Sequence, residues 1–242
     1  MIDCLDHLII AVKDIDKAED DYKKIFGMAP VWKGAHEELG TINSIFNFRN
    51  TYLELLATEG EGSGADFVNN TLKTSGEGLV GIVFGTKDLN EVTNTLKGKG
   101  FSVADPVAGQ GVNFKDKKIR RWNNLYLPPE LTRGLFSFII QHNEGELSLP
   151  KAFDQSSVNK LDHVVINTND ADGFIDVYRY IFKIRLALDK TIEHWKSRIL
   201  FFRLNKTTIE VIEKNNYKDA VDNLWGLAWE VKSLEKACKR LL

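Results

Sequence analysis

Two histidines and two glutamates stand at matching places in this chain. Leu5-Asp6-His7-Leu8-Ile9-Ile10 returns as Leu161-Asp162-His163-Val164-Val165-Ile166, an offset of 156 (161 minus 5). At that offset, without a gap, Tyr22, Ile25 and Phe26 meet Tyr178, Ile181 and Phe182, and Glu54 in Tyr-Leu-Glu-Leu-Leu meets Glu210 in Thr-Ile-Glu-Val-Ile. Each copy therefore carries one His near its start and one Glu near its end. That pair can ligate a divalent metal, or it can work as an acid and a base. A repeat of this length also changes the unit in which the fold must be read.

The elements that must position these residues are legible from local signals. Four segments share one form, a strand, a short polar step and a helix, with Asp14, Asp88, Asp170 and Ser233 at the step. Their side-chain oxygens suit the free N–H groups of a first helical turn. Behind them, apolar residues recur at helical spacing: Ile15, Ala18, Tyr22, Ile25 and Phe26; Leu89, Val92 and Leu96; Ala171, Phe174, Tyr178, Ile181 and Phe182; Leu234, Ala237 and Leu241. Gly27 and Gly100 stand where left-handed caps belong.

Short strand-like runs follow each helix. The first unit has them around 30–33, 42–48 and 51–57, with a tight turn at Arg49-Asn50. The second has them at 101–107, 119–127 and 135–142, and the third at 185–189, 198–204 and 207–213. Each unit reads βαβββ, and the fourth shows only its first strand and helix. The expected fold is therefore α+β, with repeated βαβββ modules and an incomplete fourth module. An N-terminal domain over 1–143, a polar linker over 144–160 and a C-terminal domain over 161–242 are expected. Residues 59–70 read as a further loop. The glycines of Gly60-Glu61-Gly62-Ser63-Gly64 lack the Gly-Lys-Ser/Thr ending of a phosphate loop and fit a flexible connection.

Bulk composition sets further bounds. The 242 residues carry a net charge of −2 and 43% hydrophobic residues. The core can be large, and no electrostatic pull toward nucleic acid or anionic membrane is expected. Two cysteines make no disulfide framework, and Cys4, beside an apolar strand, reads as structural. No basic, apolar leader opens the sequence, and no run reaches the ~18 apolar residues of a membrane span, so a cytoplasmic protein is expected.

The ordered set Leu5-Asp6-His7, Gly40-Thr41-x-Asn43, Tyr52-Leu53-Glu54-Leu55, Arg121-Trp122 and the run 136–142 resembles the vicinal oxygen chelate superfamily. That group includes glyoxalase I, bleomycin-resistance proteins and extradiol dioxygenases, and the details look nearest to its glyoxalase-like domain branch. The resemblance implies modules paired into half-open curved sheets around a cleft. It implies a divalent metal (Fe, Mn, Zn or Ni) held by residues of the first and last strands of each module. His7 and Glu54 match two such positions, and His163 and Glu210 match two more. In the second unit Gly81 takes the His position and Phe138 or Ser137 the Glu position; in the fourth, Gly226 takes the His position. Each pair of modules thus offers two family-type ligands.

Alternation along the first strand sets His7, Ile9 and Ala11 on one face and Leu8, Ile10 and Val12 on the other. The first face would line the cleft, with Glu54 brought toward His7. His36 is the candidate third metal ligand, although a Gly34–Gly40 loop favours an exposed histidine. Asn43, Tyr52, Arg121, Trp122 and Phe138 are candidate substrate contacts, with an arginine to bind a carboxylate and Trp122 as a wall. Three readings stand. One is a metal-dependent lyase, isomerase or dioxygenase acting on a small oxygenated metabolite, with Glu54 and His7 catalytic. The second is a metal-free lyase or isomerase using the same two residues as acid and base. The third is a metal-free binding or sequestration protein. A homodimer would be one way to complete the fourth module.

Overall fold

The computed structural model describes residues 1–150, 153–214 and 222–242. The N-terminal strands are β1 (Cys4–Ala11), β2 (Trp32–His36), β3 (Thr41–Asn47), β4 (Tyr52–Thr58), β5 (Gly78–Gly85), β6 (Val107–Asn113), β7 (Ile119–Tyr126) and β8 (Phe136–Glu144). They form a closed barrel in the order β1-β4-β3-β2-β6-β7-β8-β5. Within each module the first strand lies parallel to the last, β1 on β4 and β5 on β8. The modules meet at two antiparallel seams, β1–β5 and the short β2–β6. The second seam closes the expected half-open sheet into a barrel. It depends on Gly34, because a Cβ there would stand 2.3 Å from the Val112 carbonyl oxygen.

The remaining strands, β9 (Val158–Thr168), β10 (Arg185–Ile192), β11 (Ser197–Leu204), β12 (Thr207–Glu213) and β13 (Asn223–Val231), form a five-stranded sheet in the order β10-β11-β12-β9-β13. The repeat extends to the register. His7 lies opposite Tyr52 and Ile9 opposite Glu54; His163 lies opposite Thr208 and Val165 opposite Glu210. β9 begins inside the segment expected to be linker, with Val158 and Asn159 already buried.

Helices α1 (Ile15–Phe26), α2 (Ser63–Thr74), α3 (Leu89–Gly98), α4 (Pro129–Thr132), α5 (Ala171–Ile175, extended by a π-turn to Ile181) and α6 (Leu234–Leu241) cover the sheets. The four expected caps are formed: Asp14 accepts from the N–H groups of Asp16 and Lys17, Asp88 from Glu91, Asp170 from Gly173 and Ser233 from Lys236. Gly27 closes α1 at φ 67°. Three expectations change. The segment read as a loop over 59–70 contains most of α2, whose Ala65 and Val68 are buried. The strand expected at 101–107 starts only at Val107. In α6, Leu234 and Leu241 are exposed and only Ala237 is buried.

Apolar packing joins the barrel to the second sheet. One core cluster runs from Leu5, Leu8 and Phe84 to Val164, Phe174 and Tyr178. Another joins Phe26, Phe46 and Phe48 to Val158, with Trp229 against it. Polar ties reinforce this packing. Arg133 pairs with Asp222 at 2.7 Å and Asp170 at 3.2 Å. Arg240 of α6 donates to the Lys24 and Ile25 carbonyls at the end of α1, where a cation is favoured. Asn50, in the β3–β4 turn, donates to the carbonyls of Leu161 and Lys206 and accepts from the Leu161 N–H.

Asn50→Ala would strip the fully buried Leu161 backbone of both partners. It is expected to lower stability by about 1–3 kcal/mol, read as a lower denaturant midpoint at unchanged slope. An unchanged midpoint would show that the turn does not brace the second repeat.

Candidate active site

A cavity of ≈ 450 Å³ opens inside the barrel. Its polar end is made by β1, β3 and β4. Because β1 and β4 run parallel in the stated register, His7 and Glu54 point to the same interior. His7 Nε2 lies 3.5 Å from Glu54 Oε2. His7 is 3% exposed and Glu54 is 7% exposed, so both have left water. A carboxylate in such a place is costly unless it is hydrogen-bonded. Asn43 Nδ2 supplies that bond, donating to Glu54 Oε1 at 2.7 Å.

A second carboxylate stands behind the imidazole. His7 Nδ1 is 2.7 Å from Asp6 Oδ1, and His142 Nε2 is 3.0 Å from Asp6 Oδ2. A carboxylate only accepts, so Asp6 fixes a proton on Nδ1 of His7 and turns Nε2 toward Glu54, a contact that is attractive when Nε2 or the Glu54 carboxyl also carries a proton. Burial alone would raise the Asp6 carboxyl. The hydrogen bonds and charges of His142 and His7 outweigh burial and hold it well below the usual carboxylate range. Tyr52 stacks on His7 with ring centroids 4.5 Å apart, and Phe138 meets its edge at 6.0 Å. Burial pushes the Tyr52 phenol well above its ordinary value, and Asp6 adds to this, so the hydroxyl stays neutral.

His36 lies at the end of β2, half-buried in the cavity wall, not in an exposed loop. Its Nδ1 is 3.0 Å from Thr41 Oγ1, its Nε2 is 3.3 Å from Asn43 Nδ2, and its ring meets the edge of Trp122. Burial lowers its pKa, helped by Arg120 and His7 and opposed by Glu54, so the ring is held neutral.

The expected substrate contacts divide. Asn43, Tyr52, Trp122 and Phe138 line the cavity, and Arg121 does not. Arg121 is exposed and pairs with Glu144. Strand alternation puts Arg120, Trp122, Asn124 and Tyr126 on the inner face of β7, and Arg121 on the outer one. The period-two rule identifies the arginine once Trp122 is taken as a wall, because it must sit two residues away. Asp6 and His142 carry little signal in the sequence beyond the Asp that precedes His in both copies of the repeat.

The resemblance implies a divalent metal here. Catalytic sites of this kind use three protein ligands. His7 and Glu54 present two. The Asn43 amide stands between Glu54 and His36. Across the barrel, Phe138 pairs with Val83 as Glu54 pairs with Ile9, so Phe138 takes the Glu position. Gly81 offers no donor either, and a Cβ there would press on Ile9 and Phe136 at 3.1 Å. Among the described residues no group of three or more His, Cys, Asp or Glu side chains is placed to hold a metal ion. These residues do not fit a three-point metal site.

The second repeat keeps the same arrangement. His163 Nδ1 is 2.9 Å from Asp162 and its Nε2 is 3.2 Å from Glu210. It lies on the five-stranded sheet, and the His163 side chain is 28% exposed. His194 lies exposed against Trp195. Cys4 is set apart from this chemistry, since burial, with Asp6 and Asp3 nearby, pushes its thiol up to about 12.

The depressed Asp6 carboxyl makes stability depend on pH. Its contribution is present above the unfolded carboxylate pKa of about 4 and is lost as the pH falls toward the folded value. Asp6→Asn is expected to cost on the order of 2 kcal/mol at pH 7. The gap from wild type should narrow below about pH 4. Denaturant unfolding across pH 3–8 checks this, and a gap that does not change with pH would contradict it.

No curated protein matches the sequence. A hypothetical protein from Staphylococcus aureus has a similar structure, with a TM-score of 0.67 at 16% identity over 90% of this chain and 87% of that one. A variant of 4-hydroxymandelate synthase from Streptomyces coelicolor also gives 0.67, at 13% identity over 99% of this chain and 74% of that one. A variant of methylmalonyl-CoA epimerase from Streptomyces coelicolor gives 0.46, at 22% identity over 60% of this chain and 100% of that one. At these identities the first two likenesses establish the shared fold. The family model described as "Glyoxalase-like domain" matches residues 5–182, which is most of the chain. The protein belongs to the glyoxalase-like domain family.

Proposed function

We propose that the barrel cavity is the active site of an enzyme that moves a proton on a small oxygenated metabolite, of the isomerase or lyase type. The observation that carries this reading is the Glu54 carboxylate. It is buried, lines the cavity, is fixed by Asn43 and is backed by His7 and Asp6. A base fixed in a water-poor site at hydrogen-bond reach of a bound substrate is what proton abstraction requires.

In the proposed step Glu54 takes the proton from a carbon next to a carbonyl. The C–H electron pair becomes the new carbon–carbon π bond, and the carbonyl π pair moves to oxygen as an enolate. Return of the proton to the other face, or to the neighbouring carbon, completes an isomerisation with no net change in atoms or electrons. Departure of a group from the next carbon, with its bonding pair, gives the lyase outcome. His7 lies beside Glu54 and can take up or return the proton at Nε2, while Asp6 stabilises the imidazolium that forms. Ile9, Ile45, Leu56 and Phe138 keep water from the reacting carbon.

The metal-dependent reading has one observation in its favour. A carboxylate behind Nδ1, as Asp6 is, orients the histidines that ligate metals. The same experiment separates the readings. A panel of small ketones and oxo acids is incubated in deuterium oxide with chelator-treated protein, and loss of the C–H signal is followed by NMR. Wild type is expected to exchange one or more of them. Glu54→Gln should slow this by about 10²–10⁴-fold, and Glu210→Gln should leave it unchanged. Exchange recovered only on adding Fe, Mn, Zn or Ni would favour the metal-dependent enzyme. No exchange under any condition would overturn the proposal in favour of a binding protein.

A further inference from the structure

We infer that the ligand of this cavity is a small hydroxycarboxylic acid whose carboxylate seats on Arg120. The inference rests on the cavity being the active site proposed above and adds the groups by which the molecule is held, a carboxylate and a hydroxyl, beside the carbonyl that the proposed step acts on.

Arg120 is the first observation. It is 6% exposed and lines the cavity from β7. Its guanidinium lies among the rings of Tyr52, Trp32 and Trp122, at 5.5, 5.7 and 6.0 Å from their centroids. Among the described residues no carboxylate lies within ion-pair distance of it. Its polar neighbours are His142 Nδ1, at 3.5 Å, and the Tyr52 hydroxyl, and its Nε has no partner. Three other arginines are paired with carboxylates: Arg133 with Asp170 and Asp222, Arg198 with Asp172 and Asp189, and Arg121 with Glu144. The most enclosed guanidinium of these is thus the one without an anion. A buried charge is costly until an opposite charge joins it, so an anionic ligand gains more here than at any exposed arginine.

The second observation concerns hydrogen bonds. Asn43 gives its Nδ2 to Glu54 and His36, which leaves Oδ1 buried without a donor; Asn124 Oδ1 is in the same state. Among the described residues, three of the five buried side-chain polar atoms without partners belong to Asn43, Arg120 and Asn124, all lining this one cavity. Orphaned acceptors call for hydroxyl or amino hydrogens, and an orphaned guanidinium calls for an anion. A hydroxyl and a carboxylate on one small molecule meet both demands.

Charge count then selects the anion. Among the described residues Arg120 is the one Lys or Arg lining the cavity, against Glu37, Glu38 and Glu54. A single planar fork suits a single planar carboxylate. A phosphate dianion would bring twice the negative charge of a carboxylate to the same three glutamates. The walls formed by Trp122, Tyr126, Phe136 and Phe138 suit a flat apolar body next to that group.

The test uses 3-phenyllactate, its amide, 3-phenylpropanoate, which lacks the hydroxyl, and inorganic phosphate, titrated calorimetrically into the full chain. Wild type is expected to bind 3-phenyllactate at least tenfold tighter than the amide and several-fold tighter than 3-phenylpropanoate. Phosphate should not compete. In Arg120→Gln the preference for acid over amide should fall to within about twofold. Arg120→Lys keeps the charge and loses the fork, so it should retain part of the preference. If Arg120→Gln does not fold, as judged by its thermal transition, Arg120→Lys and the wild-type ratios decide. Equal binding of acid and amide, displacement by phosphate, or no binding of either acid would overturn the inference. Glu54→Gln separates the two claims. The carboxylate inference requires it to keep the acid preference, whatever it does to proton exchange.

Discussion

The contact between His7 and Glu54 is the constraint on which the rest of the site depends. It exists because β1 and β4 run parallel with His7 opposite Tyr52, so that Glu54 stands one step further along the same inner face. A carboxylate enclosed there must be satisfied by its neighbours, and each neighbour is in turn fixed by another. Asn43 holds Glu54, Asp6 holds His7, His142 holds Asp6, and Tyr52 stacks on the imidazole. Arg120 reaches the far end of this chain through His142. The polar groups form one connected unit. Such networks favour a single arrangement when complete and are costly when broken.

The second repeat shows what the barrel contributes. Asp162, His163 and Glu210 reproduce the residues, the register and nearly the distances of Asp6, His7 and Glu54. What differs is enclosure. The side chains of His7 and Glu54 are 3% and 9% exposed, whereas those of His163 and Glu210 are 28% and 18% exposed. Water screens the second pair and sees little of the first. The two modules of the barrel have also divided their tasks. The first carries His7, Glu54, Asn43 and His36. The second puts Gly81 and Phe138 in the corresponding places and contributes Arg120 and most of the aromatic wall. The cavity therefore has a hydrogen-bonding end, a cation and an apolar side.

Much of this was legible in the sequence because the signals are local. Helix starts were readable from Asp14, Asp88, Asp170 and Ser233, whose side chains act within one turn. The convergence of His7 and Glu54 was readable because a repeat at fixed offset fixes which strands must correspond. What the sequence concealed is set by tertiary packing. Gly60 to Gly64 and the asparagines after them look like loop, yet α2 forms because Val68, with Phe67 and Leu72 beside it, packs on Ile9, Leu56 and Val83 of the barrel. The apolar spacing of Leu234, Ala237 and Leu241 predicts a buried stripe, but only the alanine is covered. Arg120 and Arg121 are adjacent and chemically alike, and only the face of β7 tells them apart. His36 looked exposed between two glycines because β2 is short and becomes a strand only by pairing with β3 and β6.

The central claim is that Asp6, His7 and Glu54 act as one relay facing the cavity. Nitrogen NMR of the imidazole rings in histidine-labelled protein tests it most directly. The account predicts that the His7 proton resides on Nδ1, that Asp6→Asn shifts the Nδ1 resonance, and that Glu54→Gln shifts Nε2, while the His163 resonances stay where they are. A His7 ring with its proton on Nε2 alone, or an Nε2 resonance indifferent to Glu54→Gln, would contradict it.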